Sequence, residues 1–150
     1  LKLSDTEWGD YYEATNYSGE AMTAKERLIG ELVAKHDGDV VHDIGANTGR
    51  FSRVAAADKP VVLAHDIDEL AVERHYIAAR DANSPVLPLH LDVTNPSPSL
   101  GWHESERRSF LDRSKDALVL ALAMTRRTSR PDIGLTIMPS REVSPLMRFG

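Results

Sequence analysis

Apolar and polar positions follow one another in blocks whose period changes in a regular order along this chain. Gly19 to Lys35 carries Ala21, Leu28 and Leu32 at helical spacing, with Ala24 and Val33 beside them, behind Ser18 as a cap. "HDGD" (36–39) is a turn. Val40 to Ile44 is a short apolar run, the mark of a strand buried on both faces. Thr48 to Ala57 returns to helix, and Lys59-Pro60 stops it. The same alternation repeats. Val61 to Asp66 is a strand. Asp68 to Asn83 is a helix with Leu70, Val72, Tyr76, Ile77 and Ala79 as its apolar positions. Val86 to Leu91 is a strand, 94–102 a loop, Glu104 to Ser114 a helix, and Ala117 to Ala123 a fourth strand. "IGLTIM" (133–138) is a candidate fifth.

Four strand–helix alternations with short connections predict an α/β fold, a parallel sheet with helices on both faces. No repeat and no interior boundary divides it, so residues 1–124 read as one domain with 1–38 as an N-terminal cap segment and helix. Residues 125–150 read as an atypical tail.

Composition narrows the class. With 150 residues the chain is long enough for one domain with its own core. It has no cysteine, which excludes disulfides, thiolate catalysis and zinc–cysteine sites. The net charge of -5 argues against a general nucleic-acid surface. The tail carries +3 and the remainder -8, so a local basic region is retained. No apolar run reaches the roughly 18 residues of a membrane span, and no signal peptide is visible. A cytoplasmic location without a membrane partner is expected. The first residue is leucine, so the natural start is expected to lie upstream.

The chemistry concentrates at strand ends. "VVHDIGANTGR" (40–50) places Asp43, Gly45, Asn47 and Gly49 at a strand-to-helix corner. Glycine there allows backbone N–H groups to approach a ligand. The dinucleotide fingerprint needs glycine at 45, 47 and 50. Only Gly45 meets it, which disfavours a nicotinamide cofactor without removing that alternative. No G-K-[ST] occurs, so a P-loop is excluded. Asp66 ends the second strand, where a carboxylate can take two hydrogen bonds from a ribose diol. Asp92 ends the third, where it can accept the amine of adenine while Val93 packs on the base; capping of the following loop is the plainer alternative. Three acids at one sheet edge repel one another unless donors are supplied.

Other groups are weaker. His42, His65 and His90 lie on neighbouring strands, but metal ligation needs side chains converging on one face, and buried neutral rings account for the first two. No metal site is expected. His103 and Glu104 are base candidates only by proximity, so no catalytic residue is named. Asn95-Pro96 reads as a rigid loop, and Trp102 as a core plug or adenine cover.

These stretches together resemble the class I S-adenosylmethionine-dependent methyltransferases over roughly residues 8 to 124. "VVHDIGANTG" resembles their first motif, "VVLAHDID" (61–68) the acidic motif after strand two, and "LPLHLDVTNPSPSLGW" (87–102) the next one in a bacterial subgroup. "WGDYYEATNYS" (8–18) has a counterpart ahead of them. The resemblance implies a Rossmann-like methyltransferase fold with strand order 3-2-1-4-5-7-6. It implies S-adenosyl-L-methionine as cofactor. Gly45, Asn47 and Gly49 would border its methionine end with Asp43 nearby. Asp66 with Ile67 would hold the ribose, Asp92 with Val93 the adenine, and Tyr17 would close over it. The methyl acceptor stays unknown, with a small molecule and RNA both open, and so does the oligomeric state.

After strand four the chain departs from that subgroup. An apolar-His-His-Leu stretch is expected, and Arg126 and Arg127 stand near its place. Residues 125–130 can be back-translated so that a one-base shift spells Leu-Val-Ala-His-His-Val. A frame shift, a truncation and a non-catalytic remnant are therefore the alternatives, and the sheet is expected to be incomplete at the C-terminus, leaving strand four an exposed edge.

Overall fold

The computed structural model describes residues 19–122 and the backbone of 136–138. Tyr17, Ser18, Trp8, Tyr11, Tyr12 and residues 123–135 and 139–150 lie outside them. Helix α1 spans Gly19–Lys35 and is followed by β1 (Val40–Ile44), α2 (Arg50–Ala55), β2 (Val61–Asp66), α3 (Glu69–Asp81) and β3 (Val86–His90). The short helix α4 (Phe110–Arg113), β4 (Leu118–Ala121) and β5 (Thr136–Met138) complete the order.

The sheet runs β3-β2-β1-β4-β5. Its first four strands are parallel, in the Rossmann-like order expected. The fifth strand pairs β4 antiparallel, with Val119 opposite Met138 and Ala121 opposite Thr136. The expectation of an exposed edge at strand four is thus corrected: part of the segment set apart as a tail supplies its neighbour. At the opposite edge, Pro88 interrupts β3, and proline within a sheet belongs on an edge strand, where it cannot donate to a further one.

Both crossovers from β1 to β3 step the same way, so right-handedness puts α2 and α3 on one face. Helix α2 packs on β1 and β2, α3 on β2 and β3, and α1 on α2. Val41, Val62, Ala64, Leu118 and Leu120 face this layer with Ile29, Val33, Phe51 and Ala55. On the other face Phe110 of α4 sets its ring edge-on against His42 and His65, at centroid distances of 5.4 and 5.3 Å.

Four expectations change. The buried side of α1 is Met22, Ile29 and Val33, whereas Ala21 and Ala24 are exposed and Leu28 is 44% exposed. Two apolar columns run along that helix, and α2 selects the column one residue on. The buried column of α3 is Ala71, His75 and Ala79 together with Leu70, while Tyr76 and Ile77 point outward. The expected helix from Glu104 to Ser114 is confined to its last turn. Ahead of it, a 3-10 turn at Trp102–Glu104 includes His103 and Glu104 with positive φ, and Leu100 and Arg107 exchange backbone bonds. Trp102 is 79% exposed, so it plugs no core.

Helix α3 begins on a capping aspartate. Asp68 Oδ1 accepts from the backbone N–H groups of Leu70 at 2.9 Å and Ala71 at 3.4 Å. Asp68→Ala is expected to cost about 1 kcal/mol, the usual loss for such a cap. Urea denaturation of both proteins checks it; equal midpoints would show that the cap carries no stability.

Candidate functional site

The carboxyl ends of β1, β2 and β3 meet at one edge of the sheet. Leaving β1, the chain turns through Gly45 (φ 72°), Asn47 (φ 50°) and Gly49 (φ 81°) before α2 begins. Asparagine is the side chain that enters the left-handed region most readily after glycine. This is how the corner manages with one glycine fewer than the familiar fingerprint. The Asn47 Oδ1 accepts from Thr48 N at 2.7 Å and holds the turn from within.

The loop amides are directed inward. Gly45 N and Ala46 N both donate to the His65 carbonyl, at 2.8 and 3.0 Å, and Gly49 N donates to Ala46 O. Asn47 N donates to Asp66 Oδ2 at 2.7 Å. The expectation that glycine frees N–H groups for a ligand is therefore corrected: the five amides from Gly45 to Gly49 bond to protein. What the glycines provide is the positive φ that the turn needs at 45 and 49.

Asp66 joins the strand ends. Besides Asn47 N, it accepts from Asp68 N through Oδ1 at 3.0 Å, and its carbonyl takes Leu91 N at 2.9 Å. A carboxylate offers about four acceptor positions, so two amides leave room for a diol. Ile67, next in the chain, is 63% exposed. His90 Nε2 lies 3.1 Å from the Ile67 carbonyl and ties the ends of β2 and β3 together. Asp92 follows β3. Its Oδ1 accepts from Thr94 N at 2.9 Å and Thr94 Oγ1 at 2.6 Å, so it does cap its own loop. Those bonds hold its carboxyl below the usual carboxylate range. Val93 beside it is 36% exposed.

Asp43 has a different place. It is 1% exposed and faces α2, where Ser52 Oγ donates to its Oδ2 at 2.6 Å and the Ser52 backbone N–H donates as well. A carboxylate thus anchors the first turn of α2, where the helix dipole favours negative charge. Burial pushes its pKa up to about 6, against the Ser52 hydrogen bonds, and the nearby Asp66 charge pushes the same way.

His42 and His65 are each 4% exposed, stacked at 8°, with Nδ1 of the first 2.9 Å from Nε2 of the second. They are buried and hydrogen-bonded, as expected from their positions. Among the described residues no three His, Asp or Glu side chains gather around a point that would hold a metal. A shallow depression lined by Glu26, Arg50, Arg53 and Val54 lies on the helical side. No helix among the described residues is long and apolar enough to cross a membrane.

With this geometry in view, the likenesses of the chain are informative. It resembles part of a rhizobial nodulation protein. The relative, nodulation protein NoeA of Rhizobium meliloti (strain 1021), is 37% identical over 119 residues, covering 77% of this chain. The chain spans about a quarter of the length of that protein. No family model matches the chain. Solved structures similar to it include a putative RNA methyltransferase from Pyrococcus horikoshii, 21% identical, with a TM-score of 0.48 over 80% of this chain and 66% of that one. Another is the Pyrococcus abyssi tRNA (uracil-54, C5)-methyltransferase in complex with S-adenosyl-L-homocysteine, 13% identical, with a TM-score of 0.45 over 65% and 28%.

Sequence reasoning passed over one residue at this edge. His75, on the buried column of α3, lies against Gly49, and a Cβ built on that glycine would overlap its ring. A histidine at i+4 from Ala71 and i-4 from Ala79 was the available signal.

Proposed function

We propose that this chain binds S-adenosyl-L-methionine across the ends of β1, β2 and β3, and that the protein it forms transfers the methyl group to an acceptor. The observation that carries this is Asp66. Its carboxylate is fixed between the β1 loop and α3 by two backbone amides, with acceptor capacity left over and an exposed Ile67 alongside. That is the chemistry a ribose diol and the edge of an adenine ask for. Ile67 and Val93 supply apolar contact at the ends of adjacent strands, and the loop from Gly45 to Gly49 borders the methionine end. Asp43 holds the first turn of α2 beneath the loop and so supports the methionine end from behind.

The bound sulfonium supplies an already electrophilic methyl carbon, so the protein has mainly to align it with a nucleophile. A base is needed only where the acceptor must lose a proton. No residue of the described chain is assigned that part.

Calorimetric titration with S-adenosyl-L-homocysteine and, separately, NAD tests the reading. Binding of the first alone is expected. Binding of NAD alone would transfer the site to the nicotinamide class, and binding of neither would remove it. Asp66→Ala is expected to weaken S-adenosyl-L-homocysteine binding by about 1.5–3 kcal/mol, the range for hydrogen bonds to a charged group. Unchanged affinity would take Asp66 out of the site.

A further inference from the structure

We propose that His75 is a positioning residue for the cofactor loop: its imidazole backs Gly49 and sets the corner at which the loop meets α2. This rests on the cofactor reading above and assigns a role to a residue that neither motif nor comparison singles out.

The argument starts from what is buried. His75 is 2% exposed, and its Nε2 is enclosed without a hydrogen-bond partner. An enclosed polar atom left unpaired is costly, so a ring there has to be retained for another reason. The ring lies against Gly49, which holds φ 81°. Glycine is thus required at 49 on two independent grounds. The backbone is left-handed, and His75 fills the space where a Cβ would stand.

The bonds made by Gly49 itself are local. Gly49 is the residue ahead of α2 and brings no side-chain cap. It is held by its own N–H to Ala46 O at 2.9 Å and by Arg53 N to its carbonyl at 3.1 Å. Arg53 also reaches back with Nη1 to Thr48 O at 2.8 Å. These bonds bind the corner to α2 and to itself. His75 alone, among the contacts described for Gly49, comes from α3. It therefore relates the loop after β1 to the helix that starts beside Asp66, the two parts of the proposed cofactor site. Burial and the Arg53 charge keep the ring neutral, which suits a packing role better than an acid–base one.

Four variants of the full chain test this: His75→Ala, His75→Gln, Gly49→Ala and the double variant Gly49→Ala/His75→Ala. Affinity for S-adenosyl-L-homocysteine is measured by calorimetry at a temperature where circular dichroism shows each to be folded. Gly49→Ala is expected to lose about tenfold or more in affinity, since both strain and overlap act on the loop. His75→Ala is expected to bind several-fold more weakly. His75→Gln, which retains length and a terminal nitrogen, is expected to stay near the parent. The double variant is expected to bind more tightly than Gly49→Ala, because the missing ring makes room for the methyl group.

A double variant no better than Gly49→Ala overturns the proposal. So does a His75→Ala protein that melts lower yet binds as tightly as the parent, which would leave the ring a purely structural part. Should Gly49→Ala fail to fold, the comparison of His75→Ala with His75→Gln decides. Should the parent chain itself bind no S-adenosyl-L-homocysteine, the cofactor reading fails first. The contact is then read from thermal melting, where losses that simply add overturn it.

Discussion

Replacing Asp43 by leucine is expected to destabilise the protein by about 3–5 kcal/mol, the range in which a broken buried polar network falls. Asp43 is fully enclosed, so no water replaces it. Its loss strands the Ser52 hydroxyl and the Ser52 backbone N–H at the first turn of α2. Each such orphan costs about 1–3 kcal/mol. The loop that α2 supports should loosen too, and binding of S-adenosyl-L-homocysteine should fall with it. Asparagine is a different case. Its side chain can accept from the Ser52 N–H and donate to the Ser52 hydroxyl, and it removes a buried charge near Asp66. Asp43→Asn should therefore stay within about 1 kcal/mol of the parent at pH 7.5. Urea denaturation of both variants checks this. A leucine variant as stable as the parent would show that Asp43 does not anchor α2.

Acid is the second large lever. Burial lowers the pKa of His65 and of His75 to about 4, with the neighbouring His42 and Arg53 respectively acting in the same direction; His42 is lowered too, by burial and then by Arg113. In the unfolded chain a histidine titrates near 6.5. As pH falls from 6.5 towards 4, the unfolded chain takes up protons that the folded one refuses, so stability is lost across that window. Each of His65 and His75 accounts for on the order of 3 kcal/mol. Asp43 acts the other way. Its folded pKa of about 6 lies above its ordinary value, so its protonation favours the folded state as pH falls through the same window. Two histidines outweigh one aspartate, and a net loss on the order of 3–4 kcal/mol from pH 7.5 to 4 is expected. In Asp43→Asn the opposing contribution is gone, so the loss should be steeper. Urea midpoints measured at half-unit pH intervals test both statements. A flat profile, or one that is no steeper in the asparagine variant, would contradict them.

The fold was legible in large part because strands announce themselves through local composition. Val40–Ile44 and Val61–Asp66 are bounded by turn residues and proline, and their ends fall where the pattern puts them. Parallel order followed from alternation alone. Which helix face is buried was less legible. Helix α1 carries two apolar columns, and only contact with α2 selects Met22, Ile29 and Val33. On α3, larger apolar residues such as Tyr76 and Ile77 suggest a different face from the buried column, which consists of two alanines and a histidine. The segment 104–109 has charged residues spaced as in a helix, but Gly101 and the turn at His103 and Glu104 fold it into a bridge with Leu100. The antiparallel sense of β5 left no mark in composition, because pairing direction depends on the path between strands.

At the site, residue types at strand ends could be read, but bonding could not. Nothing in "DIGANTG" says that the loop amides turn inward, that Asn47 N reaches Asp66, or that Asp43 faces α2. Those follow from the twist of the sheet and the register of β1 against β2, which place His65 O beneath Gly45. The spacing of His75 between Ala71 and Ala79 marks it as buried, but its partnership with Gly49 joins two successive crossovers and cannot be read locally.

Amide chemical shifts of the nitrogen-15-labelled chain, recorded as S-adenosyl-L-homocysteine is added, test the central claim most directly. The account predicts that the largest changes cluster at Gly45 to Gly49, Asp66, Ile67, Asp92 and Val93. Changes centred instead on Glu26, Arg50 and Arg53, or no change at saturating ligand, would contradict it.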